Sequence, residues 1–378
     1  MFKKSGNVLY HHDMILSFIY DKLFAKYGCL KASLVLFLIP IVLCFATGLI
    51  ENTFESRPGL IGVKLDYALY VILGVVILSL VLFYRFSIFA REFLTNDIAE
   101  VVEVEKIKDE LPEIDRKLAR ILQPSGVFSV CRWAIIAIFI SFWFLNVLKA
   151  FDPVANYHSD IWHSWHYKIG FVVGKLVNLV YYTILLSLFF YRFIANLIGF
   201  SWLFRKISKK EAFIVRPMFP DKCAGLNILS QLSIRFMYMV LPFFLIYLSI
   251  LLRGTNFLIG QQLSLLGLTV LLFVTFFLPL GSVHSAMKRA KHIELTSIAE
   301  HFRRLNRKVK HDLDDREYGQ NLISDVESLE KLNFMYSKVN SMPVWPFNVK
   351  NIGRLISATL VPIMIFVLQH YLVRYLDN

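Results

Sequence analysis

The run Lys31-Ala-Ser-Leu-Val-Leu-Phe-Leu-Ile-Pro-Ile-Val-Leu-Cys-Phe-Ala-Thr-Gly-Leu-Ile50 carries a single charge, at its first residue. A helix rises about 1.5 Å per residue, so a run of this length matches the roughly 30 Å hydrocarbon core of a bilayer. It is apolar on every face, which water does not tolerate around an isolated helix. Six further stretches have the same character, at roughly 67–90, 127–148, 169–191, 236–252, 257–283 and 354–376. The whole chain agrees: 56% of its 378 residues are hydrophobic, 15% aromatic and 18% charged, with a mean hydropathy of +0.55. Soluble domains carry about 25% charge. The pattern predicts an all-α polytopic membrane protein with about seven transmembrane helices and a cytoplasmic helical hairpin between the last two.

The net charge of +13 does not point to specific nucleic acid, because its distribution has a simpler cause. Basic residues crowd one set of inter-span segments, among them Lys22, Arg85, Lys106, Arg120, Arg205, Lys210 and the run from Lys288 to Arg354. The opposite set holds far fewer, such as Arg57, Lys64, Lys149, Lys168 and Arg253. By the positive-inside rule the N-terminus is expected in the cytoplasm and the C-terminus outside, across an inner (cytoplasmic) membrane. Residues 1–30 lack the short apolar core of a cleavable signal. Instead Ile15, Phe18, Ile19, Leu23 and Phe24 recur at helical spacing, which predicts an interfacial helix in this segment. A six-span domain is expected over 31–283, with cytoplasmic loops at 91–126 and 192–235. A cytoplasmic hairpin follows over 284–350, and a last span and outer end over 351–378. The four cysteines, Cys29, Cys44, Cys131 and Cys223, show no close pairing, so no disulfide framework is expected.

Within the hairpin, Ile298, Phe302, Leu305 and Val309 step by four, three and four. They form a short apolar seam flanked by basic residues, either hairpin packing or an interface with another subunit or a soluble partner. In the outer loop between spans three and four, His158, Asp160, His163 and His166 lie close enough to ligate zinc or copper. Tyr157, Trp162, Trp165 and Tyr167 surround them, so an amphipathic belt at headgroup depth is the preferred reading. No H-E-x-x-H, G-x-S-x-G or Gly-rich phosphate loop occurs, which argues against an enzyme, and no cofactor is expected.

The spans hold no Asp or Glu away from their ends, which argues against proton-relay carriers. They do hold Pro40, Pro242, Pro279 and Pro362, and weakly polar residues that can line a wet path: Asn178, Gln261, Gln262, Thr269, Thr275 and Gln369. Helix-to-helix hydrogen bonding is the blander use of such residues.

The segment Arg216-Pro-Met-Phe-Pro-Asp-Lys-Cys-Ala-Gly-Leu226 reads as a proline-shaped turn. Asp221 is expected to cap the following helix, and Gly225 to permit close packing. Pro220, Asp221, Ala224, Gly225 and Leu226, with His284–Glu294, Leu329–Met342, Pro346 and Pro362, resemble a family of bacterial integral membrane proteins with a "HPDxAGGL"-like turn and a proline in the last span. The resemblance covers roughly 215–370 and departs at Phe219 and Asn227. It implies a shared fold and no particular chemistry. Two functions follow as expectations: an oligomeric membrane channel gated from the cytoplasm, or a non-conducting sensor or scaffold anchoring a soluble cytoplasmic partner. Phage defense or stress response suits either, and a metal-dependent membrane enzyme is the weaker third.

Overall fold

The computed structural model describes residues 18–55, 60–61, 63, 67–122, 127–150, 160–161, 168–217, 219, 221, 223–245, 259–314, 320–347, 351–354, 356–357, 360 and 364. These are helical apart from turns, one two-residue pairing and an isolated bridge between Val102 and Phe213. The principal helices are α1 (Cys29–Ile50), α2 (Tyr67–Glu92), α3 (Leu111–Leu122), α4 (Val127–Ala150), α5 (Lys168–Val177), α6 (Leu186–Lys209), α7 (Asn227–Tyr238), α8 (Ile259–Phe277), α9 (Gly281–Asp314) and α10 (Gln320–Asn340). Leu60–Ile61 and Asp160–Ile161 pair in parallel for two residues.

Five of the described helical stretches are long and apolar enough to cross a membrane: Lys31–Ile50, Leu69–Val101, Phe128–Leu145, Lys168–Lys209 and Asn227–Leu245. A sixth candidate is a bent pair, Leu266–Phe277 with Gly281–His311, whose axes differ by 43°. Pro279 sits in the break, where its missing N–H and its ring prevent continuous helix. The expected span at 354–376 lies mostly outside the described residues.

Helix boundaries differ from the hydropathy reading where charge interrupts a run. The fourth stretch continues past Arg192 to Lys209, through a π-helical segment at Asn178–Leu185. Its 42 residues rise about 60 Å, twice the thickness of a bilayer's hydrocarbon core, so the stretch is longer than one crossing needs. Two arrangements, one buried and one half-buried, let charge stay in helix. Arg192 Nη1 donates to the carbonyl of Leu122 at 2.8 Å. Arg235 stands over the Phe89 ring, 4.0 Å from its centroid, inside a helix that starts at Asn227 rather than near 236.

The core is a column of phenylalanines. Phe83 meets Phe189 edge-on at 6.1 Å, Phe86 meets Phe236 at 4.6 Å and Phe200 at 6.2 Å, and Phe93 meets Phe204 at 6.1 Å. The column joins α2, α6 and α7. Beneath it α3 lays Ile114, Leu118 and Leu122 against α6. The approach is close because Gly199 has no side chain: a Cβ there would stand 3.2 and 3.3 Å from Leu122 and Leu118. The expected loop at 91–126 is therefore partly core. Its charges are largely neutralised locally, with Lys206 and Lys210 on Glu110, Lys106 on Glu103 and Lys117 on Glu113. The Lys210 and Lys206 ammonium groups hold the Glu110 carboxyl below its ordinary pKa.

In the first 30 residues, the described part opens with a π-helical segment at Phe18–Phe24 and a helical turn at Ala25–Tyr27 before α1 begins. Ile19, Tyr20 and Phe24 are buried, and Tyr20 packs on Phe83 and Tyr84 of α2. That apolar face is thus covered by protein. At the other end of the spans Glu51 accepts hydrogen bonds from the backbone N–H of Ile169 (2.8 Å) and Gly170 (2.7 Å), a carboxylate on the N-terminus of α5.

Candidate functional site

The break between α8 and α9 is held by the segment that follows α10. His284, in the first turn of α9, donates from Nδ1 to the carbonyl of Val344 at 2.8 Å; a carbonyl only accepts, which fixes the tautomer. Its ring stacks on Trp345 at 4.2 Å, and Trp345 stacks on Phe347 at 5.4 Å. Phe347 in turn lies 4.9 Å from Phe276, and Trp345 meets Phe277 edge-on at 5.4 Å. Rings from both sides of the bend therefore close on one clasp. Lys291 Nζ adds bonds to the carbonyls of Asn340 (2.6 Å) and Met342 (3.0 Å), satisfying the C-terminal end of α10.

A polar knot lies beside this clasp in the chain. Asn351 is almost fully buried, and its Nδ2 donates to Ser230 Oγ and to Asn227 Oδ1 (3.2 Å), while Ser230 Oγ donates to the Asn227 carbonyl at 2.7 Å. Asn351 is thereby tied to the first turn of α7.

The turn before α7 differs from its expected design. Asp221 Oδ1 accepts from the backbone N–H of Cys223 (2.8 Å) and Gly225 (3.1 Å). The residue at the N-cap of α7 is Leu226, with no side-chain cap. Asp221 thus braces the turn and does not cap the helix. Gly225 is needed for its φ of +81°, since an added Cβ would meet only Arg216 Cδ at 3.8 Å. Arg216 N–H donates to Ala224 O at 3.0 Å and closes the loop. Cys223 is sealed inside, and burial, with Asp221 nearby, pushes its thiol pKa up to about 12. Pro220 lies outside the described residues.

The remaining expected site residues do not converge. Asn178 is exposed at the start of the π-helical segment, and Thr269 is half-buried on α8. Thr275 is buried and donates to Leu272 of its own helix at 2.9 Å. The backbones of Gln261 and Gln262 are in α8, their side chains and Gln369 lie outside the described residues, and no shared lining is formed by those that are described. Of the outer-loop ligand candidates, Asp160 pairs through its backbone with Leu60, while His158, His163 and His166 lie outside the described residues. Among the described residues, no group of three or more His, Cys, Asp or Glu could hold a metal ion.

The seam residues are split by α10. Ile298 and Val309 are buried, Leu305 is half-buried and Phe302 is exposed. Leu305 lines a groove of about 500 Å³ with His301, Arg304, Leu332 and Met335. Lys308 reaches across it to Asp325 at 2.7 Å. Sequence reasoning read Val326 into an apolar stripe with Leu322, Leu329, Leu332 and Val339, and missed Ile323 (64% exposed) and Phe334 (69% exposed) on the outer side of α10, where Val326 is also exposed. Their spacing of three and eight residues was the available signal, because it puts them within one quadrant of a helix.

Comparison with protein-family models, with curated proteins and with solved structures found no match to this chain.

Proposed function

We propose that the chain is a membrane-anchored sensor or scaffold that presents α9 and α10 as a cytoplasmic hairpin to a partner, a soluble protein or a second copy. The carrying observation is the apolar stripe Ile323, Val326 and Phe334 on the side of α10 away from the groove. Large apolar side chains gathered on one exposed helix face, here with Glu330 among them, favour an interaction site. Basic residues at the ends of α6 and along α9 support a cytoplasmic placement, and with seven spans the opposite terminus lies outside. Inner-membrane location and membership of the family that the 216–226 turn resembles belong to this proposal, the latter on the quoted residues alone. The test is Ile323→Glu with Phe334→Glu in the full chain. Loss of a co-purifying protein, or a smaller particle mass, with unchanged thermal unfolding supports the proposal; no change in either composition or mass overturns it.

A channel is the second reading, favoured by the bend at Pro279 and its aromatic clasp, which would transmit movement of the hairpin to α8. Ion flux into proteoliposomes that changes with Trp345→Ala would support it, and absence of flux in the wild type would remove it.

A further inference from the structure

Two neighbouring helix faces turn from apolar to basic at the same level. On α6, Ile198 is 43% exposed, and Arg205 and Lys209 follow it seven and eleven residues on. Leu278, just before α9, is 49% exposed, and Ser285 and Arg289 follow it at the same two offsets. Between them lies a pocket of about 570 Å³ with Ile198, Trp202 and Leu278 at one end and Arg205, Lys209 and Arg289 at the other.

The polar end is assembled rather than incidental. Arg289 Nη2 donates to the Ser208 carbonyl (2.7 Å) and to Ser208 Oγ (3.1 Å), while Ser208 Oγ donates to the Ser282 carbonyl (2.9 Å). Ser282 lines the pocket, and its own Oγ is buried with no hydrogen-bond partner. Gly281 and Ser282 open the 34-residue α9, so the positive end of that helix faces the same space. Among the described residues, Arg205 and Lys209 have no carboxylate partner, and the one counter-charge near Arg289 is Glu211, 4.0 Å from Nε and exposed. Three cations, an orphan hydroxyl and a helix N-terminus favour a phosphate-type anion. The exposed apolar end favours one that arrives with acyl chains attached.

We propose that this pocket binds the headgroup phosphate of an anionic phospholipid from the leaflet at the basic ends of the spans, with its acyl chains along Ile198, Trp202 and Leu278. Soluble phosphate would meet the same cations and leave the apolar end unused. The inference rests on the membrane embedding and is independent of the partner proposed for α10.

The test measures lipid retained by the full chain after purification, and thermal unfolding in phosphatidylcholine nanodiscs with and without phosphatidylglycerol. The wild type should retain phosphatidylglycerol and unfold at a higher temperature with it. Arg205→Gln with Lys209→Gln should retain it roughly thirtyfold more weakly, at about 1 kcal/mol for each basic residue near an anionic surface. The double variant should keep wild-type unfolding in phosphatidylcholine, since both side chains are exposed. Ser282→Ala should weaken retention without loss of charge. Arg303→Gln with Arg307→Gln, an equal change of charge elsewhere on α9, should have no effect. Equal retention in wild type and the 205/209 variant overturns the proposal, as does equal loss in the 303/307 control. Stabilisation by inorganic phosphate equal to that by phosphatidylglycerol overturns the lipid assignment and leaves a soluble anion.

Discussion

Asp221 illustrates how one carboxylate acts through backbone geometry. Its Oδ1 accepts from Cys223 and Gly225, and Oδ2 adds a longer bond from Gly225 (3.2 Å), so an amide oxygen in the place of Oδ1 should keep the two shorter bonds. Asp221→Ala should cost about 1–2 kcal/mol, because two turn N–H groups lose a charged acceptor. Asp221→Asn should cost well under half of that, and thermal unfolding in detergent distinguishes the two. A large equal loss from both would mean that the charge itself is needed. Cys223 makes a second prediction. Its folded pKa is raised to about 12, above an ordinary thiol near ~8.5, so the native state holds the proton longer than the unfolded chain. The resulting stability is complete below the unfolded value and is lost as pH rises through the folded one. Cys223→Ala should flatten the alkaline decline in stability, and the native thiol should resist alkylation until the turn opens. Rapid labelling of Cys223 in the folded protein would contradict the sealed turn.

At the scale of elements, Gly199 lets α3 sit against α6. A methyl there would need Leu118 and Leu122 to yield by a few tenths of an ångström, while alanine recovers up to about 1 kcal/mol of helix propensity. Gly199→Ala should therefore be near neutral. Gly199→Val should cost about 1–3 kcal/mol by overpacking, read as a lowered unfolding temperature and earlier proteolysis of α3. The clasp at the bend makes a parallel case. Trp345→Ala removes the stacks on His284 and Phe347 together. An aromatic pair is worth about 0.5–1.5 kcal/mol beyond its buried area, so amide exchange across 278–284 should quicken roughly tenfold. Unchanged exchange would show that Pro279 and the helix axes alone set the bend.

For the whole molecule, the proposed topology makes a reporter fused near Tyr318 active only in the cytoplasm and one fused after Asn378 only outside it. The reverse result at either position changes the number of crossings. The helical stretches Leu69–Val101 and Lys168–Lys209 are longer than a hydrocarbon core requires, and their later parts pack against α3 and α7. A cut in the 91–126 segment should therefore lower global unfolding temperature rather than release a loop.

Long apolar helices were legible in the sequence because each run is apolar on every face whatever it packs against. Charge misled the boundaries. Arg192 and Arg235 read as the ends of spans, yet each stays in helix because a distant carbonyl, Leu122 O, or a distant ring, Phe89, meets it. Local spacing placed a turn at Asp221 and could not choose between capping a helix and bracing the loop, which depends on where the chain bends next. The clasp joins His284 to Trp345 across sixty residues, and the anion pocket joins α6 to the start of α9; neither pairing has a period or a motif. Residue type and order determined which segments are apolar enough to cross a membrane, since transfer of apolar area is additive along the chain. Only the tertiary structure decided which polar groups meet, because hydrogen bonds and ring stacks are set by position in space.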